Sequence, residues 1–140
     1  MQIKVKLLSA NATAPMYGYV GDAGLDLFSA VDMTVSPKTQ RTVSTNIAIE
    51  IPSGYVGLVW DKSGLSEKGI TILAGVIDSS YRGEIKVIMA NLSKKPYKVL
   101  AKKKIAQLLI QPVITAEVKI VSELMVSRRG EKGFGSTGLE

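Results

Sequence analysis

The chain contains neither cysteine nor histidine among its 140 residues. Without cysteine it forms no disulfide, no thiol nucleophile and no Cys-containing zinc site. Without histidine it lacks the general base of a Ser-His-Asp triad. Acid–base or metal chemistry must therefore come from its twelve Asp and Glu residues, assisted by Lys, Arg and Tyr.

Long apolar runs are also missing, because no stretch approaches the roughly 20 apolar residues of a membrane span. The first six residues, Met1 to Lys6, alternate polar and apolar instead of forming a signal-peptide core. We therefore expect a soluble, intracellular protein with no membrane partner. The length fits one domain, and 46% hydrophobic residues are enough for one core.

The formal net charge of +6 favours an anionic partner. Six lysines cluster in one stretch: Lys94, Lys95, Lys98, Lys102, Lys103 and Lys104. Only Tyr97 interleaves with them, so a surface that stacks single-stranded nucleic acid is not expected. We interpret the stretch as a solvated hairpin and predict no nucleic-acid partner.

Period-2 alternation of apolar residues dominates the chain and predicts short strands at 3–7, 47–51, 85–89, 105–110 and 118–121. Turn signals such as Pro52-Ser53-Gly54 separate them, and 63–68 could form one helical turn. This pattern predicts an all-β sandwich or barrel. We place the β domain at 1–126 and a flexible C-terminal arm at 127–140.

The arm is rich in glycine, which lets backbone N–H groups converge on an anion. Ser136 and Thr137 add hydroxyl donors beside Gly135, and Arg129 adds a planar fork suited to phosphate. Phe134 would have no core to enter, so stacking on a base or sugar would explain it. The alternative is an ordinary flexible chain end.

A polar turn separates two strand-like runs, 70–77 and 84–90, which together predict a hairpin. Asp78 follows the first run, where it is either a turn-capping residue or a carboxylate base at a pocket mouth. Tyr81, in the loop, either packs on an apolar neighbour or closes a ligand slot.

Three further positions have two interpretations each. Asp26, between two leucines, is a solvent-facing strand residue or an outer-shell partner of a hydrated cation. Lys62-Ser63-Gly64 is an ordinary helix N-cap or an anion-binding helix entrance. Gln107, in an apolar run, is satisfied by backbone or contacts a ligand.

The order of these motifs resembles that of the five motifs of the homotrimeric dUTPase family. They are 23–27 (Ala-Gly-Leu-Asp-Leu), 62–65 (Lys-Ser-Gly-Leu), 75–83 (Gly-Val-Ile-Asp-x-x-Tyr-Arg-Gly), 105–108 (Ile-Ala-Gln-Leu) and 129–138 (Arg-Gly-x-x-Gly-Phe-Gly-Ser-Thr-Gly). The resemblance covers nearly the whole chain, and the third and fifth motifs are highly specific.

The resemblance implies a jelly-roll-like β domain that assembles as a homotrimer and hydrolyses dUTP to dUMP and pyrophosphate with Mg²⁺. Such enzymes limit uracil incorporation into DNA and supply dUMP for thymidylate synthesis. Their active sites lie at subunit interfaces, and each C-terminal arm closes over a neighbouring subunit's site. The expected compartment is the cytoplasm, or the host-cell interior or nucleus for a viral protein.

The resemblance also implies a role for each motif residue. Asp78 would activate the water that attacks the α-phosphorus, and Tyr81 would pack on deoxyribose. The uracil edge would be read by backbone groups of the hairpin that holds Gly75, Val76, Ile77 and Lys86. Substrate phosphates would contact Lys62, Ser63, Gly64 and Gln107.

The remaining implied roles concern the metal and the arm. Asp26 would contact Mg²⁺ through water, with no direct protein ligand predicted. Arg129, Gly135, Ser136 and Thr137 would clamp the phosphates, and Phe134 would stack over uracil.

The sequence departs from the family pattern in two motifs. The second motif usually reads Pro-Arg-Ser-Gly, and here it reads Asp61-Lys62-Ser63-Gly64. Lysine cannot make the bidentate contact of arginine, and Asp61 brings a carboxylate near the expected phosphates, unfavourable unless Lys62 or a cation pairs with it. The fourth motif usually has Gly-Asp-Arg, and here Lys102-Lys103-Lys104 places Lys104 at the arginine position.

Three alternatives remain open. A dCTP deaminase-like enzyme of related fold would use a catalytic Glu, whereas here Asp78 occupies the carboxylate position. A non-catalytic nucleotide-binding regulator would not need Asp78, Tyr81 and Phe134 together. A β-rich structural or capsid-like domain would leave the arm glycines and Phe134 unexplained.

Overall fold

A computed structural model describes residues 1–131 and 133 of the chain. Its strands are β1 Lys4–Leu7, β2 Leu25–Phe28, β3 Met33–Val35, β4 Gln40–Glu50, β5 Tyr55–Trp60, β6 Ile70–Leu73, β7 Val76–Ile77, β8 Glu84–Asn91, β9 Tyr97–Val99 and β10 Lys104–Pro112. The described residues contain one helix, α1, which spans Ser63–Ser66, within the predicted helical turn.

Eight of the strands form two four-stranded sheets, in the orders β1-β4-β8-β6 and β2-β10-β5-β7, and β3 pairs with β9. Every strand pair is antiparallel. Two four-stranded antiparallel sheets are the jelly-roll arrangement. The predicted all-β, jelly-roll-like fold is confirmed.

Alternation along the long strands builds the core between the sheets. Ile47 and Ile49 of β4 and Ile85 and Met89 of β8 are each 1% exposed or less. Leu108 of β10 reaches the same core from the other sheet. Full burial of such a side chain stabilises the fold by about 1.5–3 kcal/mol.

The run 70–77 is not one strand, contrary to the simple hairpin expected from the sequence. β6 pairs with β8 in one sheet, whereas β7 pairs with β5 in the other. The chain changes sheets at Ala74 and Gly75, whose φ angles of 62° and 154° are positive. A Cβ on Gly75 would lie 2.8 Å from Val59, so glycine permits this close crossing.

The strand predicted at 118–121 is wrong. Within the described part of the chain, no strand follows Pro112. Side chains such as Ile114, Ile120 and Leu124 are at least 87% exposed. An alternating sequence forms a strand only beside a partner edge, and among the described residues no strand pairs with 113–126.

The division at 126 between β domain and arm stays a prediction. Among the described residues, no helix is both long and apolar enough to span a bilayer.

Candidate functional site

A cleft of about 210 Å³ lies where β7 turns into β8. We call it the hairpin cleft, and it is lined by Val76, Ile77, Asp78, Tyr81, Glu84 and Lys86. Asp78 follows directly after β7, as the sequence predicts. The loop between the strands thus presents a carboxylate and an aromatic ring to the same cleft.

Short contacts fix the loop of the hairpin cleft. The hydroxyl of Tyr81 donates to the carbonyl of Glu84 at 3.0 Å. Arg82 Nη1 donates to the carbonyls of Ser79 and Tyr81 at 2.6 and 2.8 Å. The guanidinium thereby ties both sides of the turn that carries Asp78.

The two carboxylates of the hairpin cleft have different surroundings. Glu84 Oε1 accepts a 2.9 Å hydrogen bond from the backbone N–H of Asn46, and Glu84 Oε2 lies 3.6 Å from Lys86 Nζ. Within residues 1–131 and 133, the carboxylate of exposed Asp78 makes no hydrogen bond or ion pair. Asp78 is therefore the carboxylate available to a water or ligand.

A second cleft, of about 310 Å³, opens beside β2 and β10. We call it the lysine cleft, and its lining includes Tyr19, Asp22, Asp26, Lys62, Lys104 and Gln107. Strand register sets Asp26 of β2 opposite Gln107 of β10, and Gln107 opposite Trp60 of β5. Lys62 follows Trp60 by two residues, so strand pairing brings Asp26, Gln107 and Lys62 to one place.

Asp26 is buried, with 4% of its surface exposed, so it is not a solvent-facing strand residue. Its Oδ1 accepts from Lys62 Nζ, and its Oδ2 lies 2.6 Å from Lys104 Nζ. Burial would raise the pKa of Asp26, but hydrogen bonds and charge from Lys104 and Lys62 outweigh it and lower that pKa. The same contact raises the pKa of Lys104.

Comparison with known proteins gives one consistent result. The dUTPase family model matches residues 10–138. A deoxyuridine 5'-triphosphate nucleotidohydrolase of Paramecium bursaria Chlorella virus 1 is 45% identical over 136 residues, 96% of each chain. One from Clostridium kluyveri is 43% identical over 141 residues, 99% of each chain.

Solved structures agree with the sequence relatives. Staphylococcus bacteriophage 80alpha dUTPase with dUpNHpp superposes with a TM-score of 0.93 at 35% identity, covering 99% of each chain. A mutant dUTPase from phage phi11 of S. aureus, described for its structural Mg(II) ion, has a TM-score of 0.84 at 31% identity. It covers 90% of this chain and 100% of its own. The chain belongs to the dUTPase family.

Asp61, at a position where this dUTPase-family chain departs from the usual motif, is directed into the fold. Its carboxylate accepts from the backbone N–H of Ile72 at 2.5 Å and from Thr71 Oγ1 at 2.9 Å. Its carbonyl accepts from Gln107 Nε2 at 2.7 Å. The carboxylate thus joins the β5 end to β6 and is satisfied there, and Lys62 pairs with Asp26 instead.

Gln107 is compatible with both interpretations of its position, backbone satisfaction and ligand contact. Its amide is satisfied by the backbone of Asp61, yet it lines the lysine cleft. Gly24 makes this position possible, because a Cβ on Gly24 would lie 2.4 Å from Gln107 Oε1.

The other predicted residues of the dUTPase motifs lie around these clefts. Ser63 and Gly64 begin α1, directly after Lys62, and both are exposed. Arg129 lies in the exposed segment after β10. Four predicted arm residues, Phe134, Gly135, Ser136 and Thr137, lie outside the described residues.

The hairpin cleft and the lysine cleft have no lining residue in common. Among the described residues, the first, second and fourth motifs therefore contribute to the lysine cleft, whereas the third lines the hairpin cleft. Sequence reading missed two supporting contacts, the bond of Lys104 to Asp26 and the ties made by Arg82. The first depends on the pairing of β2 with β10, which no local pattern reveals, and the second on a side chain that folds back on its own loop.

Proposed function

We propose that this chain hydrolyses dUTP to dUMP and pyrophosphate, as a dUTP diphosphatase. Membership of the dUTPase family supports this activity. The observation that carries it is Asp78, the unengaged carboxylate of a cleft whose other carboxylate, Glu84, is bonded to Asn46 and faces Lys86. A deaminase that uses a catalytic Glu is less compatible with that arrangement.

The reaction needs one base and well-placed positive charge. Asp78 would accept a proton from a water whose oxygen attacks the α-phosphorus. The new bond joins that oxygen to the α-phosphorus, and the bond from the α-phosphorus to the bridging oxygen breaks. Pyrophosphate leaves with the electron pair, so no covalent enzyme intermediate is needed.

The hairpin cleft would bind the nucleoside. Tyr81, held by its bond to the Glu84 carbonyl, would pack on deoxyribose and leave no room for a 2′-hydroxyl. Backbone groups of the hairpin, in the segment from Gly75 to Lys86, would read the uracil edge. Val76 and Ile77 supply apolar walls for the base.

The lysine cleft would bind the phosphates, with Lys62, Ser63, Gly64 and Gln107 as contacts. This cleft and the hairpin cleft share no lining residue, as expected if the complete site is shared between subunits. We propose a homotrimer in which clefts of different subunits face each other. The exposed apolar segment 113–126 would be covered by a neighbour.

The C-terminal arm would close over a neighbouring subunit's site. Arg129 and the hydroxyls of Ser136 and Thr137, beside Gly135, would clamp the phosphates, and Phe134 would stack over uracil. Closure would exclude bulk water and strengthen the charge contacts. The protein would act where its substrate dUTP is found, in the cytoplasm or, for a viral protein, in the host-cell interior or nucleus.

Magnesium is implied by the family, and the described residues do not fit a direct site for it. Within 1–131 and 133, no three carboxylates converge as a metal site. Both oxygens of Asp26 already bond lysine. A water-mediated contact of Asp26 with Mg²⁺ therefore stays a prediction, and no step above passes through the ion.

The decisive test is pyrophosphate release from dUTP, with dTTP, dCTP and UTP as competing substrates. We expect turnover of dUTP alone and no ammonia from dCTP, whereas ammonia release would identify a deaminase. Asp78→Asn should abolish turnover while binding of the analogue dUpNHpp persists. Glu67→Gln, a change of an exposed carboxylate outside both clefts, should leave activity unchanged. Full activity of Asp78→Asn would refute the base assignment.

A further inference from the structure

We infer that Lys62 and Lys104 act as one substrate-facing unit, with Asp26 as the positioning residue that holds both ammonium groups toward the triphosphate. The inference rests on the proposed function and names how its phosphate subsite is organised. It also joins the two departures from the family pattern, because both lysines bond the same carboxylate.

The exposed fractions of the Asp26, Lys62 and Lys104 side chains show which of these groups faces the solvent. The side chain of Asp26 is 6% exposed, whereas those of Lys62 and Lys104 are 30% and 46% exposed. The carboxylate thus forms the floor of the lysine cleft, and the ammonium groups lie at its open side. Each ammonium has three N–H donors, of which Asp26 takes one, so donors remain for an anion.

The floor is held by backbone contacts. The N–H of Asp26 donates to the carbonyl of Met16 at 2.8 Å. A Cβ on Gly18 would lie 3.8 Å from Asp26 Oδ2 and 4.0 Å from Lys104 Nζ, so this loop closes one side. Asp22, the other carboxylate of the cleft, accepts from the N–H of Tyr19 at 2.8 Å. The backbone of Asp26 is thus anchored, and the Gly18 loop and the engaged Asp22 enclose the carboxylate beside its lysines.

Two anchored lysines can present several N–H donors in a fixed arrangement, as a single arginine does within its own guanidinium group. A guanidinium presents donors in a fixed fork, whereas a single lysine is a mobile point charge. Asp26 fixes two such charges at its own two oxygens, which sets their spacing before the substrate arrives. Prearranged charges of this kind stabilise a phosphoryl-transfer transition state without reorganisation.

The competing explanation is that the lysines only neutralise a buried carboxylate. The two explanations predict opposite signs for Asp26→Asn. Removing a negative charge from a phosphate site should strengthen triphosphate binding if Asp26 is only a competitor for the lysines. If Asp26 positions them, the variant should bind triphosphate more weakly despite its more positive cleft.

The experiment measures Kd for dUpNHpp and for dUMP, by calorimetry, on full-length wild type and variants that keep the wild-type oligomeric size. For Lys104→Met and Asp26→Asn we expect dUpNHpp binding to weaken about tenfold or more, the loss of a charge-assisted hydrogen bond. Binding of dUMP should change little, because it lacks the β- and γ-phosphates. Lys104→Arg should restore most affinity, and Lys103→Met, at an exposed neighbour, should have no effect.

Unchanged or tighter dUpNHpp binding by Lys104→Met and Asp26→Asn would overturn the inference. An NMR titration of the wild-type protein keeps the inference testable even if the variants do not fold. In that experiment, dUpNHpp should shift the side-chain NMR signals of Lys62 and Lys104 but not of Lys103, and no shift at Lys104 would also overturn it. Wild-type dUTP turnover is measured first. If the protein hydrolyses dUTP but the Lys104 signals do not shift with dUpNHpp, the proposed function stands and only this inference is refuted.

Discussion

The side chain of Tyr81 lies directly against Gly83. A Cβ added at residue 83 would come within 2.3 Å of the tyrosine hydroxyl oxygen and 2.5 Å of its ring carbon Cζ. The hydroxyl is meanwhile bonded to the carbonyl of Glu84. The ring therefore occupies space that any side chain at residue 83 would fill, so its position requires glycine there.

Gly83→Ala should displace the Tyr81 ring and weaken selection for deoxyribose. The φ of Gly83 is not positive, so the backbone there accommodates alanine without strain. Any change in activity would therefore reflect the displaced Tyr81 ring. We expect kcat/KM for dUTP to fall between about tenfold and a hundredfold, as for other misplaced groups. The preference for dUTP over UTP should fall with it.

Tyr81→Phe is the matched control for Gly83→Ala, because it keeps the ring and removes only the bond to the Glu84 carbonyl. It should retain most of the preference for dUTP over UTP. If Gly83→Ala discriminates against UTP as well as wild type does, the ring does not set sugar selectivity.

Gly24→Ala should act through Gln107. A Cβ at residue 24 would overlap Gln107 Oε1, forcing the amide away from the carbonyl of Asp61. We expect KM for dUTP to rise severalfold. In a Gln107→Ala background the same Gly24→Ala change should have a much smaller effect, because the amide is gone and only the Cβ of residue 107 remains, 3.1 Å from the added Cβ. Additive losses in the double variant would show that Gly24 serves another purpose.

Asp61→Ala should destabilise the fold more than it alters catalysis. It leaves the N–H of Ile72 and the hydroxyl of Thr71 without their acceptor. The free energy of unfolding should fall by about 1–3 kcal/mol, measured by urea denaturation. Thr71→Val removes only one of the two bonds and should cost less. Tighter dUTP binding without lost stability would show instead that Asp61 faces the phosphates.

Sequence patterns predicted an all-β sandwich or barrel, and that prediction succeeded because burial follows alternation along each long strand. Ile47 and Ile49, for example, alternate with polar or smaller residues and point into the core as expected. The predictions for 70–77 and 118–121 failed for one reason, because strand pairing depends on partners that are distant in the sequence. The run 70–77 divides between two sheets, and 118–121 pairs with no strand in the part of the chain that the structure describes.

Sequence patterns indicated where several candidate residues lie relative to the strands, but not which contacts those residues make. Asp78 follows β7 and lines a cleft, as its position after a strand-like run indicates. No sequence pattern showed that Asp61 turns inward or that Asp26 is bonded by lysines from two other motifs. Those contacts form across β2, β5, β6 and β10, so they depend on register, which local sequence does not encode.

Stability should fall in acid partly because of Asp26. Its pKa is lowered in the fold below the ordinary value of 3.8, so the unfolded chain takes up its proton first as pH falls. The stabilisation is complete above 3.8 and is lost as pH falls through the folded pKa. Conversely, Lys104, with a pKa raised above 10.5, loses its stabilisation as pH rises through that folded value.

Thermal unfolding of wild type and Asp26→Asn between neutral pH and pH 3 tests the acid limb. The variant should show a shallower decline, because Asn does not titrate. The pKa of Glu50 is also lowered, by Lys4, but that pair is solvent-exposed and high salt should screen it. Parallel curves for wild type and variant at high salt would exclude Asp26 as a source of the acid sensitivity.

Truncation after Val126 should separate folding from catalysis. The described strands end at Pro112, and residues 127–131 are exposed, so the described part of the arm adds no strand to the sheets. The shortened protein should keep the melting behaviour and oligomeric size of the full chain while dUTP turnover falls by about tenfold or more, because Arg129 and Phe134 are removed. Phe134→Ala alone should reproduce part of that loss. Normal turnover by the truncated protein would remove the arm from the mechanism, whereas loss of the oligomer would assign it to assembly.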